Sequence, residues 1–226
     1  MVVDSSVFPP LLNVHNLVTR LTSGAAIVDG ISFSIPAGKT FALLGESGCG
    51  KSMTALSLLR LLPDGVTNAG GSITLAGVAL QSLTERDMQA VRGGTLAMIF
   101  QEPGLSLNPV MTVGQQIAEV IKLHDADVVD VTQRCIALLT QVGIHDAAQR
   151  VHQYPFQFSG GMKQRVMIAM ALAGKPKLLI ADEPTTALDV TIQAQVLQLL
   201  RATQANTGMA MLLITHDLGV VSENAH

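Results

Sequence analysis

The stretch Gly45-Glu46-Ser47-Gly48-Cys49-Gly50-Lys51-Ser52 satisfies the pattern G-x-x-x-x-G-K-[ST] at every position. Its chemistry is the capture of phosphate. Glycines let successive backbone N–H groups converge on one anion, and a helix that starts directly afterwards aims its positive end at the same point. Lys51 is placed to reach the β- and γ-phosphates of a nucleotide, and the Ser52 hydroxyl to ligate Mg²⁺. Context separates such a loop from a bare glycine turn. Lys39 to Leu44 reads as a short buried strand, and Met53 to Leu62 carries Leu56, Leu59 and Leu62 at helical spacing.

Other residues able to do chemistry stand at the ends of apolar runs. Lys177 to Ala181 is continuously apolar after its lysine, as expected of a parallel strand covered on both faces, and it ends in Asp182-Glu183. Adjacent carboxylates there are costly to bury and need a cation or a proton to handle. Thr95 to Phe100 delivers Gln101, and Ala210 to Thr215 delivers His216. Each has a plain reading: a surface glutamine, a solvated acid pair, a satisfied histidine. In an open parallel sheet, however, ligands bind beyond the carboxyl ends of the strands. Strands ending at Leu44, Phe100, Ala181 and Thr215 would bring the phosphate loop, Gln101, Asp182-Glu183 and His216 to one edge. Ser159-Gly160-Gly161, before a helix from about Met162 to Ala173, reads as a plain N-cap or as a second anion site.

The elements that must position these groups follow from pattern and turn chemistry. Leu11 to Val18 and Ile31 to Ile35 read as strands separated by Thr22-Ser23-Gly24, and Pro36-Ala37-Gly38 turns the chain into the loop strand. Pro63-Asp64-Gly65 ends the first helix, and Gly70-Gly71 leads into a strand from Ser72 to Ala76. Pro103, Asn108 and Pro109 are expected to forbid regular structure. Helical periodicity then runs from Val113 to Leu123 and from Thr132 to Val142, with Gly143 as a stop. Helix Val190 to Gln204 precedes the last strand.

Composition narrows the classes. A chain of 226 residues suffices for one large α/β domain. A net charge of −3 with a pI near 6.0 and no lysine or arginine cluster argues against a nucleic-acid partner. The mean hydropathy of +0.41 raises the question of a membrane span. The long uncharged run Pro103 to Ala118 is broken by Asn108, Pro109, Gln115 and Gln116, so none is expected. Met1 to Ser6 contains no basic segment leading into an apolar one, and a cytoplasmic chain is expected. Cys49 and Cys135 match no metal or disulfide framework, and Cys49 reads as a small side chain facing away from the ligand.

The ordered set resembles the ATPase subunit of an ABC transporter. It comprises Walker A (Gly45 to Ser52), a Q-loop at Gln101, a signature Phe158-Ser159-Gly160-Gly161-Met162, Walker B ending in Asp182-Glu183, a D-loop Ala187-Leu188-Asp189 and a switch His216. Gln101-Glu102-Pro103 with Ser106 to Pro109, Ser159 to Leu172, and Ala181 to Gln195 are similar to the oligopeptide, dipeptide and nickel importer group. The resemblance implies an α/β P-loop NTPase core with an N-terminal antiparallel β subdomain and an inserted α-helical subdomain at about 103–173, all one ATP-binding domain over 1–226. It implies ATP and Mg²⁺ as cofactors. Gly45, Glu46, Ser47, Gly48, Cys49, Gly50, Lys51, Ser52 and Met53 would bind nucleotide. Ser52, Asp182 and Gln101 would serve the metal, and Glu183, His216, Gln101 and Lys51 the chemistry. Ser159, Gly160, Gly161 and Asp189 would also bind nucleotide, the signature residues from across a head-to-tail pair of ATP-binding subunits.

The implied partners are that second subunit, a transmembrane permease and, indirectly, a solute-binding protein, at the cytoplasmic face of the inner membrane. ABC ATPases that act on nucleic acid or ribosomes carry basic surfaces, zinc modules or coiled-coil insertions, none of which is visible; a poorly hydrolysing nucleotide-binding module is a further alternative. Two departures from the pattern set expectations. No aromatic residue lies between Phe8 and Phe33 to stack on adenine near Leu21, so apolar contact and relaxed base selectivity are expected. The chain ends at His226, where family members continue, and a truncated chain is expected.

Overall fold

The computed structural model describes residues 9–185, 190–217 and 219. An antiparallel sheet comes first. β1 (Leu12–Leu21) and β2 (Ala26–Ile35) form a hairpin, and β4 (Val66–Leu75) and β5 (Val78–Ala79) complete the order β2-β1-β4-β5. Leu12, Val14, Leu17 and Thr19 of β1 are buried. The slip in alternation after Val14 marks a bulge, with Asn16 at φ 49° and Gly71 at φ 85° facing each other. A side chain on Gly71 would strike the Asn16 backbone. This corrects the expectation that Gly70-Gly71 precedes the strand. The pair lies inside β4, because glycine there admits a close backbone approach rather than breaking the strand.

The second sheet is parallel, in the order β3 (Thr40–Leu44), β8 (Ala210–Thr215), β7 (Leu178–Asp182), β6 (Leu96–Ile99). Every residue of β7 and β8 is buried, because helices or the other sheet cover both faces. One face (Leu96, Leu178, Ile180, Leu212, Ile214) packs with α1 (Lys51–Leu59) and the inner residues of the antiparallel sheet. The opposite face (Ala97, Ile99, Leu179, Ala181, Met211, Leu213) packs with the helices.

Five α-helices lie between β6 and β7: α3 (Pro103–Ser106), α4 (Val113–His124), α5 (Val131–Gln141), α6 (Ala147–Arg150) and α7 (Gly160–Ala173). α2 (Glu85–Val91) precedes β6, and α8 (Val190–Thr207) precedes β8. α4 opens with a capping box in which the Gln115 N–H donates to Thr112 Oγ1 and the Thr112 N–H donates to Gln115 Oε1. α3 is a second correction, since no regular structure is expected from Pro103. Proline is tolerated in a first helical turn, where its missing N–H would have no partner, and the Glu102 carbonyl accepts from the Ser106 backbone. Past α3 the chain is irregular. Buried Gln116 holds it there, accepting from the Asn108 N–H and donating to the Asn108 and Met111 carbonyls. No helix among the described residues is long and apolar enough to cross a membrane.

Candidate functional site

The parallel order puts the groups at the carboxyl ends of β3, β8, β7 and β6 along one edge: the glycine loop, His216, Asp182-Glu183 and Gln101. Gly48 and Gly50 adopt φ 82° and 94°. At Gly50 a Cβ would stand 2.6 Å from the Ile27 carbonyl oxygen, so the loop passes tightly against β2. α1 starts from Gly50 with no side-chain cap and no acidic residue in its first turn, which leaves its positive end open to an anion. Lys51 is buried, and its ammonium donates to the carbonyls of Gly45 (2.8 Å) and Glu46 (2.7 Å). That holds a cation at the loop's centre. Cys49 is exposed, with its Sγ over Gly45 and 3.9 Å from Lys51 Nζ.

Asp182 is 4% exposed, and its Oδ1 is buried without a hydrogen-bond partner among the described residues. Burial pushes its carboxyl above the usual range. The Ser52 hydroxyl opposes the shift, the Glu183 charge adds to it, and Lys51 pulls the other way. A buried carboxylate oxygen lacking a donor, beside a hydroxyl, is a donor set suited to a hard divalent cation. The residues present therefore fit Mg²⁺.

Glu183 is the meeting point of three strand ends. Gln101 Nε2 donates to its Oε2 at 2.9 Å, and His216 Nδ1 lies 3.2 Å from its Oε1. Its backbone has φ 46°, a conformation that costs a non-glycine residue about 1–3 kcal/mol and that persists where the surroundings over-determine it. Lys51, Ser52, Asp182, Glu183, Gln101 and His216 are thus brought together.

Ser159, Gly160 and Gly161 do not join them. Ser159 Oγ accepts from the Met162 N–H as the N-cap of α7, and among the described residues no hydrogen bond links these three to Gly45–Ser52. A Cβ on Gly160 would face open space. Leu21, expected near the base, ends β1 and is 41% exposed. Asp189 and its neighbours Ala187 and Leu188 lie outside the described residues.

A groove of about 650 Å³ adjoins the site and escapes sequence reasoning, because its walls come from segments far apart in the chain. Leu61, Met98, Phe100, Val120 and Met170 line it, with Gln101 at its margin. Arg92, also in its wall, donates to the Leu59 and Arg60 carbonyls at the end of α1 and pairs with Glu85. That pairing holds the Glu85 carboxyl below its ordinary range.

The family model described as ABC transporter matches residues 28–186. The chain belongs to the ABC transporter family. Over 221 residues this ABC chain is 51% identical to the peptidoglycan transport ATP-binding protein YejF of Agrobacterium fabrum, covering 96% of this chain and 40% of that protein. It is 52% identical over 220 residues to the oligopeptide transport ATP-binding protein AppD of Bacillus subtilis, covering 95% of this chain and 67% of that one. The chain thus spans two fifths of the first relative's length and about two thirds of the second's. Among solved structures, the dimeric ATP-binding cassette MJ0796 bound to ADP and Pi superposes with a TM-score of 0.83 over 94% of this chain and 91% of that one, at 23% identity. That likeness establishes the ABC cassette fold, with its mixed antiparallel and parallel sheets.

Proposed function

We propose that the chain is the ATP-hydrolysing subunit of an importer of peptides or a related small solute, driving a separate membrane permease from its cytoplasmic face. The observation that carries this is the Glu183 carboxylate, held between Gln101 and His216 on the edge that presents the phosphate loop and Lys51. Relatives named for peptide and oligopeptide transport support the cargo class.

The backbone N–H groups from Gly45 through Met53, Glu46, Ser47, Gly48, Cys49 and Gly50 among them, wrap the phosphates, and Lys51 neutralises the β- and γ-oxygens. Ser52, Asp182 and Gln101 would hold Mg²⁺, which when bound offsets charge on the phosphate oxygens. Glu183 orients a water and accepts its proton as the water attacks the γ-phosphorus and the bond from that phosphorus to the β–γ bridging oxygen breaks, so that ADP leaves with the bridging oxygen and inorganic phosphate is formed. His216 fixes that carboxylate and reaches the γ-phosphate. Positioning and charge stabilisation supply most of the catalysis. Ser159, Gly160 and Gly161 of a second, head-to-tail subunit close over the γ-phosphate, with Asp189 at the junction.

The apolar groove beside Gln101 has the form that receives an amphipathic helix, and a permease helix seated there would touch the element that contacts Glu183. The test is reconstitution in liposomes with the permease that co-purifies with the chain. ATP turnover is expected to rise with permease and peptide-loaded binding protein, together with peptide uptake. Turnover indifferent to the permease but stimulated by DNA or RNA would place the chain among ABC ATPases that work on nucleic acid instead.

A further inference from the structure

Glu183 is a non-glycine residue in the left-handed region, and Pro184 follows it. A residue before proline is normally driven to extended backbone, so this turn needs restraint from both sides. On the strand side the Glu183 N–H donates to the Ile214 carbonyl at 2.9 Å, extending the β7–β8 ladder. Beyond the turn, the restraint comes from α7: Gln164 Nε2 donates to the Pro184 carbonyl at 2.6 Å. Gln164 is 2% exposed and Pro184 is buried. A buried amide on a helix whose neighbouring residues Val166, Met167 and Ile168 are buried apolar side chains is costly unless bonded, and its bond goes to the turn that carries Glu183.

We propose that Gln164 is a positioning residue for Glu183: its amide pins the Pro184 carbonyl and thereby fixes the turn that aims the carboxylate between Gln101 and His216. The proposal rests on the reading of Glu183 as the base. It also joins the helix that begins at Ser159 to the carboxylate of the same subunit.

The test measures ATP turnover and ATP affinity for Gln164→Met and Gln164→Asn, alone and combined with Glu183→Gln. Gln164→Met is expected to lower kcat by about 10–100-fold, the scale of a small misplacement of a reacting group, with ATP affinity and KM near wild type. Gln164→Asn keeps the amide on a shorter stem and is expected to fall between. It carries the test if loss of the buried bond compromises folding. In the Glu183→Gln background the Gln164 substitutions are expected to add no further loss to the residual turnover, as for groups acting through one another. Wild-type kcat in both single variants, equal proportional losses in both backgrounds, or a fall in ATP affinity that accounts for the lost kcat/KM would overturn the proposal. Normal hydrolysis by Glu183→Gln alone would overturn it through its premise, a failure visible without any Gln164 variant.

Discussion

Glu183→Gln is expected to keep ATP binding, to lower turnover by at least about 100-fold and to trap an ATP-bound dimer. The size follows from the loss of a positioned proton acceptor, which contributes roughly 10²–10⁴-fold. The substitution changes neither side-chain length nor backbone, so the turn at φ 46° and its neighbours Gln101 and His216 stay in place. Asp182 and Lys51, proposed above to serve binding, are untouched. Phosphate release and retained nucleotide, measured together with size-exclusion chromatography in ATP, check all three effects. Hydrolysis at the normal rate would remove Glu183 from its role.

Lys51→Ala is expected to weaken ATP binding by about 10–100-fold, the equivalent of the roughly 1.5–3 kcal/mol of a hydrogen bond to a charged group, and to abolish turnover. Lys51 is buried at the centre of the loop and holds the Gly45 and Glu46 carbonyls. Its removal takes away the cation proposed to meet the phosphates and leaves those two acceptors without their donor. Titration with a fluorescent ATP analogue measures the affinity, and nucleotide bound as tightly as by the unmodified chain would show that the phosphates lie elsewhere.

That the glycine loop, Gln101, Asp182-Glu183 and His216 share one edge is legible in the sequence. An apolar run that ends in residues costly to bury, such as Leu178 to Ala181 before Asp182-Glu183, names both a covered strand and the end at which ligands gather. The strand Ala210–Thr215 has the bounds the apolar run suggests. The glycines were harder to read. Gly70-Gly71 looks like a break but fills a bulge, because only the partner strand's Asn16 reveals why a side chain cannot stand there. Pro103 looks like a barrier to helix and instead opens one. The Gln164 contact with Pro184 was invisible for another reason: nothing in local pattern says which distant carbonyl a buried amide will meet. The groove beside Gln101 is illegible on the same ground, being a product of packing among remote segments.

We propose that the edge carrying Lys51 and Glu183 is half of an ATP site, completed by Ser159 of a second ATP-binding subunit. In a head-to-tail pair, Lys51→Ala and Ser159→Ala each inactivate both composite sites of their own homodimer. A mixed dimer confines both defects to one site and leaves the other intact. ATP turnover of the two variants, measured separately and after mixing, tests this directly. Near absence of turnover in each alone and recovery on mixing is the expected result, whereas mixed samples no more active than the sum of the separate ones would contradict it.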